Sequence, residues 1–194
     1  MSARVIAGTA KGRRLKLVPG DSTRPIMDRV KESLFNIIGR DILDSHFLDL
    51  FAGTGSVGIE ALSRGASRAV FLDVEKKAIQ TIKENLTVTG LLSNATIIHA
   101  DAFKYIEQEP NLVYNFIYIA PPQYNNLWMK TLLTLDAHPA WLTPATEVIV
   151  QIDPTEEQPV SLTHLEVVDQ RRYGSTLLLF LHPKMEANAE PLEE

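Results

Sequence analysis

The chain has no cysteine among its 194 residues, which excludes disulfides, a thiolate nucleophile and the usual Cys-rich zinc sites. Histidine is sparse: His46, His99, His138, His164 and His182 are scattered, with no two at helical ligand spacing, so no metal centre is expected. Long apolar runs are missing too. The aliphatic-aromatic stretch 177–181 has five residues, against about 18 for a membrane helix. The first residues, MSARVIAGTAKGRR, set their charges after the apolar stub, the reverse of a secretory signal. These absences predict a cytoplasmic protein with no membrane and no metal.

What is present is ordinary in amount and uneven in placement. An apolar content of 45% with 22% charged residues suits one globular domain with a proper core. The net charge of −5 hides a split: residues 1–40 hold nine basic and three acidic residues, a net of +6, and the remainder holds 10 against 21, a net of −11. A basic arm on an acidic body fits a polyanion-binding protein, although a merely solvated basic face has the same composition.

Five short segments rich in β-branched or aromatic residues recur at 46–51, 69–73, 96–99, 114–119 and 147–152. Helical periodicity fills the gaps, most clearly at 75–89, with Ala78, Ile79, Ile82 and Leu86 on one face and Gly90 as C-terminal cap. Strands alternating with helices imply right-handed crossovers and a mostly parallel α/β sheet. The runs 165–172 and 176–182, separated by Tyr173-Gly174-Ser175, predict a closing hairpin. Val30, Leu34, Ile37 and Ile38 predict a helix packed on the sheet and ended by Gly39. Ahead of it, 4–7 and 14–18 predict a basic β-hairpin across the link 8–12. We expect residues 1–25 to be an extension, 26–182 the main domain, and 183–194 an acidic, disordered tail.

The chemistry concentrates at strand ends. Leu48-Asp49-Leu50-Phe51-Ala52-Gly53-Thr54-Gly55-Ser56-Val57-Gly58 leaves the first central strand and opens a helix; its glycines allow a tight turn and close backbone approach to a ligand. Asp73 ends the second strand, 20 residues after Gly53, where a carboxylate can accept from ribose hydroxyls. The glycines alone could be a structural turn; with the strand, helix and spaced acid in register they predict a nucleoside-bearing cofactor. Asp49 would repel a pyrophosphate at the strand end, but suits S-adenosylmethionine, which carries an ammonium and a sulfonium. That argues against an NAD enzyme. Asp101, after the third strand, can accept from an adenine amino group or simply cap the next helix. The fourth strand runs into Ala120-Pro121-Pro122-Gln123-Tyr124, where two prolines force the chain out at the carboxyl edge of the sheet. Coming there, this segment looks like the Asp/Asn-Pro-Pro-Tyr/Phe loop of amino-group methyltransferases.

Arg4-Val5-Ile6-Ala7-Gly8, Gly12-Arg13-Arg14-Leu15, Thr23-Arg24-Pro25, Asp28-Arg29-Val30-Lys31-Glu32-Ser33-Leu34-Phe35-Asn36 and Asp49-Leu50-Phe51-Ala52-Gly53-Thr54-Gly55 together resemble the RsmD-type bacterial small-subunit ribosomal RNA guanine-N2 methyltransferases, from about residue 4 to residue 182. The resemblance implies a Rossmann-like class I fold, a mostly parallel seven-stranded sheet with a C-terminal antiparallel hairpin. It implies S-adenosylmethionine as cofactor, held by Asp49, Phe51, Gly53, Thr54, Gly55, Asp73, Asp101 and Ala102. Arg4, Lys11, Arg13, Arg14, Lys16, Arg24 and Arg29 would touch RNA. Ala120, Pro121, Pro122 and Tyr124 would form the catalytic loop. The expected partner is small-subunit ribosomal RNA or its assembly intermediate, with the protein acting as a monomer. One departure matters: the family pattern has an acid or amide where this chain has Ala120, and Gln123 intervenes before the aromatic. An exocyclic guanine amine is a weak nucleophile that benefits from an oxygen acceptor on its N–H. Without one, a second reading stays open, an RNA-binding assembly module that keeps the fold without the turnover.

Overall fold

The computed structural model describes residues 3–20 and 26–184. Arg24, the Thr23-Arg24-Pro25 motif and nearly all of the acidic tail lie outside the described residues.

Seven strands form one sheet in the order β5-β4-β3-β6-β7-β9-β8: β3 (His46–Asp49), β4 (Arg68–Asp73), β5 (Ala95–His99), β6 (Phe116–Ile119), β7 (Glu147–Ile152), β8 (Leu165–Tyr173) and β9 (Thr176–Pro183). The first five are parallel, and β9 runs antiparallel to both β7 and β8. The helices α1 (Asp28–Ile38), α2 (Ser56–Ser63), α3 (Lys76–Thr89), α4 (Ala102–Ile106) and α5 (Leu127–Asp136) connect them. From β3 the chain first builds outward through β4 and β5, then crosses to β6 and β7 on the other side. The carboxyl ends of β3 and β6 therefore flank the switch point of the sheet, where an open α/β fold leaves a crevice.

Helix patterning follows burial. On α3, Ala78, Ile82 and Leu86 are fully buried, and Gly90 closes the helix at φ 74° with its N–H on the carbonyls of Leu86 and Thr87. On α1 the buried stripe is Val30, Leu34, Phe35 and Ile38. Ile37, expected in that stripe, turns outward at 41% exposure; Phe35 takes the inward place and stacks on Phe47 of β3 at 6.3 Å.

The N-terminal hairpin is present but shorter than its sequence suggests. The strands β1 (Ala3–Arg4) and β2 (Arg14–Leu15) pair, and Val5 extends the hairpin by donating to the Arg13 carbonyl and accepting from Gly12, both at 2.9 Å. Beyond Val5 the backbone bonds to the end of α2. The fully buried Glu60 accepts the N–H groups of Ile6 (2.8 Å) and Ala7 (3.0 Å), and Ser63 Oγ accepts that of Ala10 at 2.9 Å. Gly8, at φ +80°, lies so close that a Cβ there would sit 1.7 Å from the Ser63 carbonyl oxygen; no other residue fits. Lys31, itself buried, completes the staple by donating to the Arg4 carbonyl (2.6 Å) and lying 3.5 Å from Glu60. Ala3, Val5, Ala10 and Leu15 join the same buried cluster as α1, α2 and the sheet.

Candidate functional site

The turn after β3 is built to present main-chain and carboxylate groups to the crevice. Gly53 and Gly55 take φ of 53° and 76°, and Gly55 is the N-terminal cap position of α2. Asp73, last residue of β4, braces this turn: its Oδ2 accepts the Gly53 N–H at 2.8 Å and its Oδ1 that of Glu75 at 2.9 Å. Each oxygen keeps a lone pair for a ligand hydroxyl. Asn85 on α3 supports the turn from behind, donating to the Thr54 carbonyl at 2.9 Å while exchanging bonds with both main-chain groups of Lys16 (2.7 and 3.0 Å).

Asp49, last residue of β3, is buried, and its Oδ1 has no hydrogen-bond partner among the described residues. Burial pushes its carboxyl up to about 7, helped by the charge of Asp73, while the N–H groups of Gly58 and Phe51 draw it down. An unpaired buried carboxylate oxygen is costly. A cationic ligand removes the cost.

These groups line one cavity of about 680 Å³. Asp49, Phe51, Gly53, Thr54, Asp73, Asp101 and Ala102 border it on one side, and Ala120, Pro121, Pro122, Gln123 and Tyr124 on the other. Gly55 does not border it: its role is the left-handed entry into α2, with its Cα packed towards Ile82 and Ile59. Asp101 does cap a helix, accepting the Lys104 N–H at 3.1 Å through Oδ1.

The loop after β6 is strained. Tyr124 and Asn126 adopt φ of 68° and 52°, a region unfavourable for residues with a Cβ. Glu156 holds the loop by accepting the Tyr124 N–H at 2.7 Å, and Gln158 donates to Asn126 at 3.1 Å. The Tyr124 side chain is 70% exposed at the cavity rim.

Among the described residues, none of the basic ones borders the cavity. Arg4 is paired with Asp28 (2.7 Å) and Lys16 with Glu84 (2.8 Å). Lys11, Arg13, Arg14 and Arg29 are exposed and have no ion pair among the described residues. Sequence reasoning missed Gln151 and Thr176, which border the cavity from β7 and β9, and the braces Asn85 and Glu156. Only for Gln151 was there a signal, a polar residue directly after the apolar run Val148-Ile149-Val150 near the carboxyl end of β7. Among the described residues no group of three or more His, Asp or Glu is placed to hold a metal ion, and no helix is long and apolar enough to cross a membrane.

Residues 3–182 match the family described as Conserved hypothetical protein 95. The chain belongs to this family. It is 41% identical over 175 residues to YlbH of Bacillus subtilis, covering 89% of this chain and 95% of that one. It is 33% identical over 150 residues to the Escherichia coli ribosomal RNA small subunit methyltransferase D, covering 77% of this chain and 73% of the relative. The solved structure of Escherichia coli yhhF superposes with a TM-score of 0.83 at 28% identity, covering 95% of this chain and 99% of that one. The matched span includes both the basic N-terminal segment and the closing β8–β9 hairpin, so the family resemblance extends beyond the glycine turn.

Proposed function

We propose that this protein is a ribosomal RNA methyltransferase that acts as a monomer, moving a methyl group from S-adenosylmethionine to the exocyclic N2 of a guanine in small-subunit ribosomal RNA or its assembly intermediate. The observation that carries the reading is Asp49: a buried carboxylate with one unpaired oxygen, beside a glycine turn, opposite a Pro-Pro loop. It fits the ammonium of the cofactor's methionine end. Asp73 fits the ribose and Asp101 the adenine, and Phe51 and Ala102 give apolar walls. When bound, the cofactor supplies an electrophilic methyl on its sulfonium.

The rest is positioning. The prolines turn the chain away from β6, so that a base held over Ala120 faces the methyl donor. Tyr124 at the rim offers a face for stacking, and main-chain carbonyls of the turn accept one N2–H in place of the side chain Ala120 lacks. Lys11, Arg13, Arg14 and Arg29 give the phosphates a free positive surface and Arg4 and Lys16 extend it; Arg24, outside the described residues, is a further candidate by its charge alone. The module without turnover is the weaker reading. The strained loop at Tyr124 and Asn126, on the acceptor side of the cavity, costs stability that drift would readily remove once no base had to be held there.

Two measurements test this. Tritiated methyl transfer to purified small subunits or their assembly intermediates should show incorporation. Mass spectrometry of ribosomal RNA nucleosides should find one N2-methylguanosine missing in cells that lack the protein. Normal cofactor binding without incorporation would favour the assembly module.

A further inference from the structure

Ala120 leaves the acceptor loop without a polar side chain at its first position, yet the neighbouring strand supplies one. Pairing in the sheet sets Tyr118 beside Ile149 and Ile119 beside Val150, which places residue 151 one strand across from residue 120. Tyr118, Ala120 and Ile149 pack in the same cluster, on one face of the sheet. Gln151, two residues beyond Ile149, emerges on that face and borders the cavity.

The Gln151 carboxamide is oriented. Tyr118 is buried, and its single hydroxyl proton goes to Gln151 Oε1 at 2.5 Å, not to the unpaired Oδ1 of Asp49. The oxygen end of the amide is thereby committed to Tyr118. The two Nε2 protons have no partner among the described residues, and a donor at a cavity wall needs one.

Resting on the reading of the reaction given above, we propose that Gln151 is a specificity-determining residue that donates from Nε2 to the O6 carbonyl of the acceptor guanine, with Tyr118 as its positioning residue. A ring carbonyl is what separates guanine from adenine at that edge: adenine carries an amino group there, and a donor facing a donor is left unpaired in a desolvated pocket. The contact leaves the N2 amine free to react, so it selects the base without occupying the nucleophile.

The test uses the full-length protein and small subunits in which the methylated guanine, located by mass spectrometry, is replaced by 2,6-diaminopurine through ligation of synthetic RNA. That base keeps the 2-amino group and exchanges O6 for an amine. Wild-type protein should prefer guanine by at least about tenfold in kcat/KM. Gln151→Glu, which has no donor when ionised, should lose at least about tenfold on guanine and shrink the preference towards unity. Tyr118→Phe should shrink the preference in part. Both should leave cofactor affinity and melting temperature near wild type. Gln151→Leu serves as a second variant should the glutamate perturb folding. Variants that transfer methyl groups with the wild-type preference overturn the assignment of Gln151 alone. Wild-type protein that methylates no guanine overturns the reaction, and Gln151 with it.

Discussion

Replacing Asp49 by Asn should stabilise the ligand-free protein at alkaline pH while abolishing its response to S-adenosylmethionine. The carboxyl is pushed from 3.8 to about 7 by burial, roughly three pH units. At about 1.4 kcal/mol per unit this is on the order of 4 kcal/mol as an upper limit. The sign follows from the direction. A carboxyl whose folded value is raised contributes stability below the unfolded value near 4, and that contribution is lost as pH rises to about 7. Above pH 7 the fold carries an ionised, partly unpaired carboxylate. Asn keeps the shape and one acceptor for the Gly58 and Phe51 N–H groups, but never ionises.

Because water can enter the crevice, we expect about half the limit, roughly 2 kcal/mol at pH 8. For a chain of this length that is a rise of about 4–8 °C in Tm, with little difference from wild type at pH 4.5. Thermal melts of both proteins at the two pH values, without ligand, read this directly. S-adenosylmethionine should then raise the Tm of wild type and not of the variant. Its affinity for wild type should fall below pH 7, towards tenfold per unit, because binding takes up only the ionised carboxylate. A variant that is less stable than wild type at pH 8, or an affinity flat from pH 5 to 8, would refute the reasoning.

Three further outcomes are expected. Asp73→Asn keeps one acceptor for the glycine turn but loses charge-assisted bonds to ribose hydroxyls worth about 1.5–3 kcal/mol; calorimetry should show cofactor binding weakened about tenfold or more. Exchanging Lys11, Arg13 and Arg14 together for Gln should leave cofactor affinity unchanged and flatten the slope of log RNA affinity against log salt by about two to three, at about 0.7–0.9 per phosphate contact; an unchanged slope would make that face merely solvated. Tyr124→Ala should slow methyl transfer about five- to 150-fold through the loss of about 1–3 kcal/mol of stacking, with cofactor affinity unaltered in the same titration.

The central strands were legible because each is a short β-branched or aromatic run with punctuation on either side, as in 147–152, which reproduces β7 (Glu147–Ile152) to the residue. Asp49 and Asp73 stand out in the sequence for a related reason, each being a carboxylate that ends an apolar strand, whereas Asp101 follows β5 by two residues and caps α4; all three border the cavity. What could not be read is what depends on neighbours from distant parts of the chain. Glu60 looks like any solvent-facing acid within a helix, yet it is fully buried under backbone from residues 6 and 7. Asn85 looks like a polar position on α3, yet it bridges Lys16 and Thr54. Gln151 gains its meaning only from the strand beside it.

The same long-range bonds decide how the basic segment relates to the catalytic domain. Composition suggests an appendage, because residues 1–40 differ in charge sign from the rest. The structure binds it inward at three points: Glu60 and Lys31 under Arg4 to Ala7, Ser63 at Gly8 to Ala10, and Asn85 at Lys16. Removing residues 3–16 would uncover the core that Val5 and Leu15 cover and strip the buried Glu60 of two N–H donors, leaving its carboxylate with Arg64 and Lys31. Breaking a buried charge network in this way commonly costs about 3–5 kcal/mol, a large share of a domain's stability. The segment is therefore an integral wall of the fold whose outer face carries charge, and its proposed RNA-facing role is separable only by changing side chains. Through Asn85 that wall also leans on the Thr54 carbonyl of the glycine turn, so the surface proposed for phosphates and the pocket proposed for the methyl donor share the hydrogen bonds of one side chain.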